Sequence, residues 1–140
     1  MKSNITIVYN GQTEEAFNFY QSIFGGDFER LTRMKDMPGA ENFTEEEANK
    51  ILFMALPIGN SLLMGMDCPA GRPPVVVGSN FMVNIDTASE EENTRVYNRF
   101  AEKGEIRIPL GHQFWGAFFG MVTDQFGVTW MLNYVNQEQS

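Results

Sequence analysis

The sequence has a single cysteine, Cys68, so no disulfide can form within the chain, and a reducing cytoplasm is the simplest compartment. No apolar stretch approaches the roughly eighteen residues that a membrane-spanning helix requires. The opening residues (Met1, Lys2, Ser3, Asn4) run straight into a strand-like segment with no apolar leader core, so no secretory leader is expected. Basic residues are scarce: ten Lys and Arg stand against eighteen acids, giving a net charge of −8, and they form no run or stripe. A phosphate backbone or an anionic membrane surface would be repelled, so neither nucleic acid nor membrane is an expected partner.

What the sequence does have is a heavy load of large apolar side chains: twelve Phe, two Trp and nine Met in 140 residues. That length suits one domain able to bury roughly two-thirds of its unfolded surface. The apolar load fits a Phe-rich core, or an aromatic and Met-lined pocket, since Met adapts to irregular cavities.

Ile5, Ile7 and Tyr9 alternate with Thr6, Val8 and Asn10, which predicts a strand. Thr13 is placed to cap a following helix, with Glu14 and Glu15 at its positive end. Ala16, Phe19, Tyr20, Ile23 and Phe24 then form one apolar face, and Gly25-Gly26 ends it. A strand is expected over Phe28 to Met34, then a loop over Lys35 to Asn49 with one short helical turn from Thr44. Ile51 to Ile58 and Ser61 to Met66 read as a hairpin whose Gly59-Asn60 turn would place both residues at positive φ. The prolines of Cys68 to Pro74 forbid a strand interior and suggest a linker.

The second half repeats this order. A strand is expected over Asn80 to Ile85, and Ser89 with Glu92 has capping-box spacing. The helix should run to about Lys103 with Val96 and Phe100 inward and Gly104 as its stop. Strands follow over Glu105 to Pro109, Gly116 to Thr123 and Val128 to Val135, with Asp124 to Gly127 as a turn. The chain thus reads as one α+β domain over 1–140: module one about 4–67, a linker about 68–77, and module two about 78–136. Each module is β-α-β-β-β. The pair is expected to form a curved mixed sheet around a cleft, with the helices outside.

The paired βαβββ order, Asn18-Phe19-Tyr20 with Phe24-Gly25-Gly26, and Thr123-Asp124-Gln125-Phe126-Gly127 with Trp130 resemble the glyoxalase/bleomycin resistance/dioxygenase (vicinal oxygen chelate) superfamily. Leu63-Met64-Gly65-Met66-Asp67, Phe114-Trp115-Gly116 and Asp124 to Met131 look like its PhnB-like branch, some members of which are labelled 3-demethylubiquinone-9 3-methyltransferase domains. The resemblance covers essentially the whole chain. It implies a homodimer with a ligand cavity inside the curved sheet. A glycine-rich strand-to-helix turn with an acidic partner, which a Rossmann-type S-adenosylmethionine site needs, does not occur.

Metal-using members of that superfamily carry His, Glu or Gln at four cleft-facing strand positions. Threading by the Phe19-Tyr20 and Gly127 anchors puts Ile5, Ala55, Asn80 and Met131 there. Only Asn80 offers an oxygen, and divalent transition ions want imidazole or carboxylate, so no metal and no other cofactor is expected.

His112, in Leu110 to Gly116, reads either as a general acid or base at the cleft mouth or as a solvated loop histidine. Phe114 and Trp115 read either as pocket wall or as packing at the module junction. Asp67 could accept a bond from a ligand or shape the turn before Cys68. Arg33 and Arg72 are either anion partners or merely solvated, and Cys68, with no base beside it, is read as a bystander thiol.

The sequence reading is a metal-free, cytoplasmic, homodimeric small-molecule-binding protein with Met66, Asn80, His112, Phe114, Trp115 and Met131 at the ligand. Its competitor is a metal-dependent lyase, isomerase or dioxygenase of the same superfamily.

Overall fold

The computed structural model describes residues 1–136 and divides the chain into two compact units, Met1–Val76 and the residues from Val77 on. In the first unit β1 (Ile5–Tyr9), α1 (Thr13–Phe24) and β2 (Arg30–Arg33) come first. Two single 3-10 turns and the short α2 (Glu45–Asn49) lead to β3 (Ile51–Ile58) and β4 (Ser61–Asp67). The sheet order is β1-β4-β3-β2, with β1 parallel to β4 and the other pairs antiparallel. The second unit repeats the plan with β5 (Val83–Asp86), α3 (Glu90–Ala101), β6 (Glu105–His112), β7 (Ala117–Thr123) and β8 (Thr129–Val135), ordered β5-β8-β7-β6.

Each helix covers one face of its own sheet. In α1 the buried stripe is Thr13, Ala16, Phe17, Tyr20 and Ile23. It is rotated from the expected face, so Phe17 is fully buried while Phe19 and Phe24 are only half-buried. The cause is Gly65 on β4: a Cβ there would lie 2.5 Å from Phe17 Cε1, so the missing side chain admits the Phe17 ring. On α3 the stripe is Asn93, Val96, Tyr97 and Phe100, and Phe100 stacks on Trp130 of β8 with ring centroids 4.6 Å apart.

Thr13 is not the cap of α1. It is the first helical residue, and its N–H and hydroxyl both donate to Asp67 Oδ1, at 3.1 and 2.6 Å. Asp67 Oδ2 accepts the Ile51 N–H at 2.8 Å, so one buried carboxyl ties the starts of α1 and β3 to the end of β4. Asp67 is therefore spent within the fold and is no ligand acceptor. Asp124 has a parallel use in the second unit. Its Oδ1 accepts the Phe126 and Val128 N–H groups, and Oδ2 accepts Trp130 Nε1–H at 2.9 Å, closing the turn before β8 onto a buried indole.

Other expectations need correction. β2 stops at Arg33 because a bulge falls between Thr32 and Arg33 and Asp36 Oδ2 accepts the Arg33 N–H. In the β3–β4 hairpin only Gly59 takes positive φ (59°), the arrangement of a turn with glycine first, and Asn60 does not. Asn80 to Met82 lie outside β5, whose pairing begins at Val83 opposite Trp130, near the start of β8. The Glu92 carboxylate reaches Ala88 N–H rather than Ser89 N–H, and α3 ends at Ala101. β6 runs on to His112, because the irregularity between Ile108 and Gly111 absorbs Pro109, which has no N–H for the ladder. α2 follows Thr44 as expected, with Thr44 Oγ1 accepting the Glu47 N–H.

Two substitutions test these contacts. Gly65→Ala overpacks against Phe17 and should cost about 2 kcal/mol in urea unfolding. Asp67→Ala leaves the Thr13 and Ile51 donors without their acceptor and should cost about 3 kcal/mol. Asp67→Asn, which keeps one acceptor oxygen, should fall between Asp67→Ala and the parent.

Candidate functional site

Side chains alternate along a strand, so the face opposite each helix is fixed by register. In the first unit Leu63, Gly65 and Asp67 point toward α1, and Met64 and Met66 point away. Thr6 and Val8 pair with Met64 and Met66, and Ala55 and Arg30 extend the row across the sheet. Ile5 pairs with Leu63 and so lies on the helix side, not on this face. The Arg30 guanidinium sits 5.8 Å above the Phe53 ring centre. Apart from this face, a cavity of about 150 Å³ opens among Met34, Phe43, Leu52 and Pro69, with Glu47 and Lys50 also lining it.

In the second unit Val122, Trp130 and Leu132 are buried on the helix side. The open face reads in rows across the sheet. One row is Asn84, Met131, Met121 and Ile108; the next is Asp86, Asn133, Phe119 and Gly111. A third, toward one end, holds Thr129, Thr123 and Glu105, where Thr123 and Thr129 hydroxyls meet at 2.7 Å and Arg107 binds both Thr123 and Glu105. Trp115, in the tight β6–β7 connection closed by Gly116 N–H donating to Gln113 O, packs edge-on to Phe119 at 5.7 Å. Phe114 meets Trp115 at 5.1 Å and is 97% exposed.

Of the expected ligand residues, Met131 and Trp115 share this open face, and Phe114 joins them through Trp115. Met66 lies on the open face of the other sheet. Asn80 is an exposed residue outside the strands. His112 pairs with Phe118 and therefore faces the helix side, where its Nε2 is 3.1 Å from Glu90 Oε1 and its ring is 4.8 Å from that of Phe118. Asn84, Asp86, Asn133, Phe119 and Met121 were not singled out from the sequence. For Asn84 and Asp86 the signal was the polar phase of the Val83 to Asp86 alternation, legible once the strand's true start is known.

The donors on these faces are hydroxyls, amides, thioethers and π faces, with carboxyls only at Asp86 and Glu105. Among the described residues no group of three or more His, Cys, Asp or Glu could hold a metal ion. The ligand set implied for metal-using relatives is therefore not one these side chains fit.

The sequence profile of the Glyoxalase/Bleomycin resistance protein/Dioxygenase superfamily matches residues 2–132. The chain belongs to this superfamily. Protein YjdN of Escherichia coli K12 is 28% identical over 139 residues, covering 93% of this chain and 92% of that one. Among solved structures, protein PA1353 of Pseudomonas aeruginosa is similar with 32% identity and a TM-score of 0.83, covering 96% and 98% of the two chains. A PhnB protein of Bacillus cereus, provisionally named a 3-demethylubiquinone-9 3-methyltransferase, has the same fold at 23% identity and a TM-score of 0.77, covering 96% and 100%. Superfamily membership supports small-molecule binding or an enzyme of the vicinal oxygen chelate type. No helix among the described residues is long and apolar enough to cross a membrane.

Arg33, a candidate anion partner, is committed elsewhere: its guanidinium grips both Glu14 oxygens, at 3.1 and 2.5 Å, and donates to Asn49 O. The Arg33 hydrogen bonds hold Glu14 below its ordinary value of 4.5, partly opposed by desolvation and aided by the guanidinium charge. A lowered carboxylate stabilises the fold above its unfolded value, and that contribution fades as pH falls through the folded one. Since Glu14 is 44% exposed, the pair is worth only about 0.5 kcal/mol. Glu14→Gln should remove that amount at pH 7 and flatten the urea midpoint's decline on acidification below 4.5.

Proposed function

We propose that this chain is a small-molecule-binding protein that works without a metal ion, its guest lying on the open face of the second sheet. The observation that carries the reading is the run Met131, Met121 and Phe119 with Trp115 leaning on it, bordered on one side by amides. Half-buried thioethers and aromatic rings give a guest apolar contact area, and a few polar atoms fix its orientation. Phe114 and Trp115 stand at the rim, where an incoming ring would meet them. Of the residues expected at the ligand, Met131, Trp115 and Phe114 belong to this site, while His112 faces the helix side and Met66 and Asn80 lie off this face. The reading includes a homodimer in the cytoplasm, and Phe81, Met82 and Phe114 are exposed side chains that a second copy would cover.

The test is a panel of aromatic and amphipathic small molecules screened by thermal shift and tryptophan fluorescence. Trp115 is half-exposed and Trp130 fully buried, so quenching by a guest reports chiefly on Trp115. An authentic guest should lose at least about tenfold in affinity, 1.4 kcal/mol, in Trp115→Ala. Unchanged affinity would sink the site. Elemental analysis of untagged protein should find no stoichiometric nickel, zinc, manganese or iron. Finding one would favour the metal-dependent enzyme instead.

A further inference from the structure

At one corner of the second sheet's open face three polar side chains meet. Asn84 Nδ2 donates to Asp86 Oδ1 at 3.1 Å, and Asn133 Nδ2 donates to the same oxygen at 3.3 Å. Both amides thereby turn an N–H inward onto one carboxyl oxygen. Asp86 Oδ2 and the amide oxygens of Asn84 and Asn133 have no protein donor among the described residues. The corner thus offers three acceptor atoms around one carboxylate charge, with one further N–H on each amide nitrogen. Asn84 and Asp86 are exposed, so these atoms are within a guest's reach.

The surroundings narrow the choice of guest. Asn84 adjoins Met131, and Asp86 adjoins Asn133, which in turn adjoins Phe119. Neighbouring strands lie about 4.8 Å apart, so a group held at Asp86 places a ring about 5 Å away over Met131, with Phe119 one strand further on at about 10 Å. The π faces of Phe119 and Trp115 tolerate a nearby cation and disfavour an anion. Arg107, the basic side chain on β6, is turned to Glu105 and Thr123 in a different row. A carboxylate guest at this corner would therefore meet the Asp86 charge, with Arg107 turned elsewhere. A calcium ion wants six to eight oxygens, and this corner supplies three with a single carboxylate. An ammonium group has three N–H donors, one for each acceptor.

We propose that Asn84, Asp86 and Asn133 form an amine-recognition site, so that the guest is a primary amine on an apolar, ring-bearing body. This rests on the reading of the face as the ligand site and names the chemistry it selects.

Phenethylamine, phenethyl alcohol and hydrocinnamate share a ring and chain and differ in the terminal group, so they are the probes. Titrations of the full chain should be followed by Trp115 fluorescence and thermal shift. Phenethylamine should bind about tenfold more tightly than phenethyl alcohol, and hydrocinnamate more weakly than either. Asp86→Asn should erase the preference for amine over alcohol. Glu29→Gln, which changes net charge by the same amount in the other unit, should keep it and so exclude bulk attraction to an acidic protein. Alcohol or carboxylate binding as well as the amine would overturn amine recognition while leaving the ligand face standing. Displacement of the amine by calcium or magnesium alone, lost in Asp86→Asn, would reassign the corner to a metal ion and overturn the proposal. If none of the three probes perturbs Trp115, both the inference and the ligand face fall.

Discussion

Each four-stranded sheet in this chain has two faces and one twelve-residue helix to cover them. Because strand side chains alternate, covering one face commits every second residue to the core and leaves the other set for another purpose. On the covered side the approach is close: Gly65 lies beneath Phe17, and a Cβ at Gly120 would meet the Tyr97 ring at 2.9 Å. On the uncovered side Met64 and Met66, or Met121 and Met131, remain half-buried. Side chains of this kind on a sheet face make it suitable for contact with something outside its own unit.

Two aspartates show how the covered side is held in register. Asp67 and Asp124 are nearly fully buried, at 2% and 4% exposure, and each takes at least three donors among the described residues. They stand where strands begin or end, where backbone N–H groups have no ladder partner and burial without an acceptor would be costly. Asp67 supplies Thr13 at the first turn of α1 and Ile51 at the start of β3. Asp124 supplies the turn before β8 and the indole that stacks on Phe100. A carboxyl whose oxygens are occupied this way is a structural part even when its position beside a turn invites a functional reading.

The βαβββ repeat was legible from alternation and helical spacing, because those patterns record which residues meet a core. The family resemblance was legible in the Thr123-Asp124-Gln125-Phe126-Gly127 turn and Trp130, and its physical basis is the Asp124 bonds to that turn and that indole. Partner-dependent features were not legible. Thr13 looks like a cap until Asp67, 54 residues away, claims its hydroxyl. Ile5 threads to a cleft position until its pairing with Leu63 turns it toward the helix. His112 sits in a segment whose glycine and proline suggest a loop, yet β6 bulges around Pro109 and carries it to the side opposite Met131. A one-residue error in register exchanges the two faces, so site residues inferred by threading are more fragile than the elements that bear them.

The open face also clarifies what membership in the superfamily carries over. A shared scaffold fixes where strands present side chains, while the side chains decide what can be held there. Here the relevant positions carry Thr6, Ala55, Met64 and Met66 in one sheet and Asn84, Asp86, Met131 and Asn133 in the other. Thioethers and methyl groups attract apolar surface without dictating its orientation. Orientation must then come from the few polar atoms at the border, where Asp86 draws one N–H of each neighbouring amide toward itself. The single carboxyl thus acts twice, once as a charge and once by fixing which end of each amide faces outward. On the proposal of amine recognition, a guest that meets such a border with donors would be held in one orientation.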